Sequence, residues 1–194
     1  IISPLVREEF YQQKNKSNNE NFFNLLVVGG SQGASIFDNN LKQSIVNISK
    51  KFPIKITQQT NQKNVFELKN FYLKNNIENK IFNFDKDFIN ILEKTDLCIT
   101  RAGASTLAEL AISNIPFIAV PLSSAKDNHQ LENANFYKEK NCCWILDQLS
   151  FEEKIEDFLR NIIIDKDDYL KKKENLKKLN YKNTWINVNE KILD

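Results

Sequence analysis

Short apolar runs alternate along this chain with longer stretches whose apolar residues recur every three or four positions. The runs at 25–28, 54–58, 80–84, 96–100, 117–120 and 143–146 have the length and content of strands. Between the first two, Phe37, Leu41, Ile45 and Ile48 fall on one helical face, and Val65, Leu68 and Tyr72 do so before the third. Ala104, Leu107, Ala108 and Ala111 line a face between the fourth and fifth runs. Leu131, Ala134 and Tyr137 precede the sixth, and Phe151, Ile155, Phe158 and Ile162 follow it. Strands separated by helices in this way predict βαβ units, hence an α/β fold with a Rossmann-like parallel sheet covered by helices. Near-continuous apolar strands such as "FIAV" suit a sheet buried on both faces.

Two segments break the alternation. Gln12 to Phe22 is polar and aperiodic and reads as a surface loop or linker. The run "LKKKENLKKL" carries Leu170, Leu176 and Leu179 as a thin apolar stripe among lysines. It reads first as a solvated helix face, with attraction to an anionic membrane as the weaker alternative. Residues 165–194 are expected to form a helical tail, and residues 1–194 a single domain.

Composition narrows the classes of function. Lys and Arg number 27 against 25 Asp and Glu, a formal charge of +2, without the basic excess of a dedicated nucleic-acid binder. A local anion site stays open. No apolar run approaches the roughly 18 residues that a spanning helix needs. Cys98, Cys142 and Cys143 supply neither a disulfide framework nor a C-x-x-C pair, and their apolar settings predict buried, reduced thiols. The chain contains no methionine, so it is expected to be part of a longer protein with a partner domain.

The candidate chemistry lies where strands end. "LLVVGGSQGAS" passes from a buried strand through Gly29, Gly30, Ser31, Gln32 and Gly33 into a helix. Such a turn is either merely small, or small so that amides can approach a phosphate at a helix N-terminus. It has neither G-x-G-x-x-G spacing nor a following Gly-Lys-Ser/Thr. "TRAGASTLAEL" repeats the pattern after the fourth strand. In a parallel sheet both turns open at the same carboxyl edge, each with unpaired amides and a positive helix end. Glu109, just beyond the first turn of the second helix, either accepts the hydroxyls of a ribose or only complements the helix dipole. At the end of the fifth strand, Asp127 is a plausible N-cap. His129 reads as a surface or capping residue before a catalyst, and Gln130 suits a sugar hydroxyl.

"VVGGSQGAS", "DLCITRAGASTLAEL", "IPFIAVPL" and "KDNHQLENA" occur in an order and near a spacing that resemble the MurG family. This family comprises the UDP-N-acetylglucosamine:undecaprenyl-diphospho-muramoylpentapeptide N-acetylglucosaminyltransferases, within glycosyltransferase family 28. The resemblance covers essentially the whole chain but only the family's C-terminal, donor-binding half, with "SPLVREEF" resembling the segment that enters it. It implies the C-terminal half of a GT-B-type glycosyltransferase, whose acceptor domain would lie N-terminal to this chain. It places Arg7 near the donor phosphates, Ser31 on the diphosphate with Gly30, Gln32 and Gly33 shaping the turn, and the backbone of Asp85 on the uracil. Ala104, Ser105, Thr106 and Leu107 match the second loop, Glu109 the ribose ligand, and Gln130, with His129 beside it, the transferred sugar. Ala102 departs from the family's frequent serine, and the stretch 123–125 is one residue longer than in some relatives.

The implied reaction is inverting transfer of N-acetylglucosamine from UDP to lipid I, giving lipid II, at the cytoplasmic face of the bacterial inner membrane. No D-x-D-type acid pair is read in a suitable loop, so neither metal nor cofactor is expected. The general base and most membrane contact are expected on the other half, so this chain alone should bind donor without turnover. Two alternatives remain: a donor-binding subunit of another UDP-sugar glycolipid transferase, and a non-catalytic nucleotide-sugar-binding module.

Overall fold

The computed structural model describes residues 6, 10, 22–30, 35–123 and 128–179. All six expected strands form one parallel sheet: β1 (Phe23–Val28), β2 (Ile54–Gln59), β3 (Glu78–Phe82), β4 (Leu97–Thr100), β5 (Phe117–Ala119) and β6 (Cys143–Ile145). Their spatial order is β3-β2-β1-β4-β5-β6.

The helices divide between the two faces by the period-two alternation of the strands. Leu25 and Val27 point to one core, and Leu26 and Val28 to the other. On the first face lie α1 (Ser35–Asn40), α2 (Lys42–Ser49), α3 (Val65–Lys74) and α7 (Phe151–Ile164). On the second lie α4 (Phe88–Glu93), α5 (Ala104–Ile112) and α6 (His129–Glu139). Leu41 N donates to Phe37 O at 3.3 Å and Ile45 N to Leu41 O at 3.1 Å, so α1 runs into α2 without losing its ladder. Phe37 and Phe151 meet at 5.5 Å between ring centroids and seat α7 against α1. Each such fully buried aromatic or aliphatic side chain stabilises the fold by about 1.5–3 kcal/mol.

Several boundaries differ from the sequence expectation. The third strand stops at Phe82, not at residue 84, because its partner β2 stops at Gln59; Thr60 N then turns to Phe82 O at 2.8 Å. Phe84, expected inside the strand, is 76% exposed in the following loop. Helix α4 was not expected from the pattern, although Ile91 and Leu92 bury there. Leu131, counted on the buried face of α6, is 42% exposed, whereas Ala134 and Tyr137 are buried. Residues 11–21, which hold most of the polar loop, and Asp127 lie outside the described residues.

The lysine-rich run forms α8 (Lys166–Lys178), and it is not simply a solvated face. Tyr169 packs on the first core and donates its hydroxyl to Asp96 O at 2.9 Å, while Leu176 is buried in the second core. The helix thus passes beneath the amino edge of the sheet and clasps both layers. Residues 180–194 of the expected tail lie outside the described residues. All three cysteines are buried, and burial pushes their thiols up, Cys143 to about 12. No described helix is long and apolar enough to cross a membrane.

Candidate functional site

With α8 under the amino edge, the carboxyl edge is where the sheet meets its surroundings through loops. Strands β1 and β4 are neighbours, and the chain winds from them in opposite directions, to β2 and β3 on one side and to β5 and β6 on the other. At such a reversal the two departing connections diverge to opposite faces and leave a crevice between them. Val28 and Thr100 are register partners, and Arg101 N donates to Val28 O at 3.4 Å. The two turns singled out by sequence therefore leave the sheet side by side.

In the first turn, Gly30 has φ of +81° with nothing within 4 Å of where a Cβ would stand. Backbone conformation, not crowding, favours glycine there, and the absent side chain keeps the approach open. Arg7, Ser31, Gln32 and Gly33 lie outside the described residues. In the second turn, Gly103 is the extended N-cap of α5 and provides no side-chain cap. Leu107 N donates to Gly103 O at 3.0 Å, so the amides of Ala104, Ser105 and Thr106 are the ones that precede the helical ladder. Ala104 and Ser105 are exposed and Thr106 is half-buried. Leu107 differs from its neighbours: its side chain is fully buried in the second core and its amide is already committed. Its contribution is to anchor the helix. Glu109 stands half-buried in the second turn of α5.

The side chain of Arg101, in the turn after β4, does more than line a loop. Nη1 donates to Val120 O at 3.1 Å, and the guanidinium lies over the Phe37 ring at 5.4 Å from its centroid. One cation thus ties the ends of β4 and β5 to α1 across the crevice. Desolvation lowers its pKa, yet a guanidinium stays charged in a protein. The signal that could have found it is an arginine placed directly after a buried strand. Asn133 was also missed; its Nδ2 donates to Ala102 O at 3.0 Å and braces the second turn from α6.

Gln130 Oε1 accepts from Leu122 N at 3.0 Å. Its acceptor therefore fixes the loop after β5. His129 is exposed at the first residue of α6, after Asn128 in the left-handed conformation (φ 52°). Residues 124–127 lie outside the described residues.

Asp85 stands after β3, two strands from β1, a separation of about 10 Å. Its carboxylate pairs with Lys80 Nζ at 2.6 Å and accepts from Asp87 N at 2.8 Å. The hydrogen bond from Lys80 is the main cause of a lowered Asp85 pKa, so this clamp is intact at neutral pH and opens only in acid. Asp85 and Asp87 stand at D-x-D spacing, which the sequence reading passed over. With the Asp85 side chain engaged, that residue has its backbone left to present, beside the exposed Phe84 ring.

The model described as the glycosyltransferase family 28 C-terminal domain matches residues 24–184. The chain belongs to this family. The UDP-N-acetylglucosamine--N-acetylmuramyl-(pentapeptide) pyrophosphoryl-undecaprenol N-acetylglucosamine transferase of Pelagibacter ubique (strain HTCC1062) is 48% identical over 194 residues, covering 100% of this chain and 54% of that protein. The enzyme of the same name from Rickettsia bellii (strain RML369-C) is 36% identical over 156 residues, 76% of this chain and 44% of that protein. Among solved structures, the crystal structure of Acinetobacter baumannii MurG superposes with a TM-score of 0.79 at 25% identity, covering 98% of this chain and 54% of that one. The family 28 domain described here thus spans about half the length of the relatives it matches.

Proposed function

We propose that this family 28 domain is the donor-binding half of an inverting transferase. The enzyme would move N-acetylglucosamine from UDP to the muramoyl hydroxyl of an undecaprenyl-diphosphate-linked acceptor in peptidoglycan synthesis. The observation that carries the reading is the pair of strand-to-helix turns leaving β1 and β4 side by side, with the α5 terminus lacking a side-chain cap. Breaking the anomeric bond builds negative charge on the departing UDP. Amides of Ala104, Ser105 and Thr106 at the α5 N-terminus are fixed donors at the edge where that charge would develop, and Arg101 adds a positive charge beside them. Their orientation is set by folding, so none has to reorganise as the bond breaks. Glu109 takes the ribose hydroxyls, the loop at Asp85 the base, and Gln130 the transferred sugar. Arg7 and Ser31 complete the diphosphate site.

The names of the relatives supply the donor and the polyprenol-linked acceptor. An undecaprenol-linked acceptor supports work at a membrane, which this reading takes to be peripheral and on the cytoplasmic face. The acceptor, its general base and most lipid contact belong to an N-terminal half, so this domain binds donor and does not turn over by itself. Titration calorimetry tests this directly. UDP should bind the domain with measurable heat that EDTA leaves unchanged. Absence of heat at millimolar UDP contradicts the reading, and loss with EDTA would place a metal ion at the site.

A further inference from the structure

Behind the crevice a carboxylate is buried among neutral donors. Asp38, 8% exposed in the first turn of α1, accepts from Gln58 Nε2 at 3.0 Å, Thr60 Oγ1 at 2.6 Å and Asn64 Nδ2 at 3.0 Å. The buried Tyr72 hydroxyl donates to Gln58 Oε1 at 3.1 Å and orients that amide toward Asp38. Removing a carboxylate from water is costly, and three neutral hydrogen bonds offset that cost only while all are made. A carboxylate is also the side chain that gathers several donors on two oxygens without presenting an N–H of its own. The residues gathered belong to three elements: α1, the end of β2 and the entry to α3.

The network continues from Thr60. Thr60 N donates to Phe82 O at 2.8 Å, Asn83 Nδ2 donates to Thr60 O at 3.0 Å, and Gln59 Nε2 donates to Asn83 O at 3.4 Å. One end of this chain of bonds is therefore α1, the first described helix after β1. The other is Asn83, the residue before Phe84 and two before Asp85.

We propose that Asp38 is a positioning residue that locks α1, the helix entered from the end of β1, to the turn after β3 and so sets the spacing between the diphosphate and base holds. The inference rests on the reading of the site given above. Asp38 acts through Thr60 and Asn83 and touches no ligand. Each half of the ligand finds its own hold without the lock; only a ligand that must satisfy both at once depends on their separation. The lock therefore belongs to binding of an intact nucleoside diphosphate and not to either fragment.

The test compares UDP, uridine and pyrophosphate binding to wild type, Asp38→Asn, Thr60→Val and Asn83→Ala, using ligand-observed NMR for the weak fragments. Cutting the chain should weaken UDP about tenfold while uridine and pyrophosphate each lose less than twofold. Amide exchange across 83–87 should quicken in Asp38→Asn, with β5 and β6 unchanged. Should Asp38→Asn fail to fold, Thr60→Val and Asn83→Ala cut the same chain farther from the core of the network. Folded variants that bind UDP as wild type does, or that lose all three ligands equally, overturn the proposal alone. Wild-type protein that binds no UDP overturns the reading of the site and this inference with it.

Discussion

Replacing Glu109 with alanine is expected to weaken UDP binding about a hundredfold while leaving 2′,3′-dideoxyuridine diphosphate nearly unaffected. A carboxylate accepting both ribose hydroxyls makes two hydrogen bonds to a charged group, each worth about 1.5–3 kcal/mol. Glu109 is only half-buried, so water competes and the lower end of that range applies. Two such bonds then amount to about 3 kcal/mol, close to two decades in dissociation constant. Alanine is the stronger helix former, so α5 survives the change. The competing role, a surface charge favourable to the helix dipole, is worth about 0.3–1 kcal/mol and has no reason to distinguish the two nucleotides. Calorimetry with both ligands separates the roles: equal losses, or none, contradict a ribose contact.

The second large effect is on stability and lies at the opposite edge of the sheet. Lys172 is 5% exposed; its ammonium donates to Asn141 Oδ1 at 2.8 Å and Asp168 Oδ1 at 3.0 Å, and sits 4.6 Å from the centroid of the Trp144 ring. Trp144 Nε1 donates to the other Asp168 oxygen at 3.0 Å, and Asn175 Nδ2 to Asn141 O at 3.1 Å. Breaking a buried ion pair from one side typically costs about 3–5 kcal/mol. Asp168 keeps some access to water, with 39% of its side chain exposed, so Lys172→Ala should cost about 2–4 kcal/mol. For a domain of this size that lowers Tm by about 5–15 °C. Lys172→Met keeps the buried methylene stem and should recover part of the loss. Lys171→Ala, on the exposed side of the same helix, should change Tm by less than 2 °C or so, within the usual range for surface substitutions. Thermal unfolding of the three variants checks this, and a Lys172→Ala shift no larger than that of Lys171→Ala contradicts the clasp.

Lys172 also shows where a one-dimensional pattern stops informing. In "LKKKENLKKL" each lysine looks alike, because the partners that single out Lys172 come from Asn141 in the turn before β6, from Trp144 in β6, and from Asp168, one turn earlier in its own helix and outside that run. The central strands β1, β4 and β5 were legible because burial on both faces demands unbroken apolar runs. Where the end of a strand depends on its neighbour, as Phe84 depends on the length of β2, the run alone misplaced the boundary. The same holds at the site. Gly30 and the α5 N-terminus were legible because a turn entering a helix has a local signature. The side-chain role of Arg101 was not, since its Val120 and Phe37 partners are distant in sequence. Gln130 was legible as a polar residue at the carboxyl edge, but not as one whose oxygen already holds the loop after β5. Asp38 carried no signal, because a lone carboxylate in a helix is ordinarily a solvated one.

The central claim is that a nucleoside diphosphate sits at the reversal between β1 and β4. Backbone amide chemical-shift mapping of the domain during a UDP titration tests it most directly. The account predicts that the largest shifts fall on Gly30, Ala104, Ser105 and Thr106, with smaller ones at 84–86 and none along α8. Saturating UDP that leaves those four amides unmoved, or that shifts residues of the amino edge instead, would contradict it.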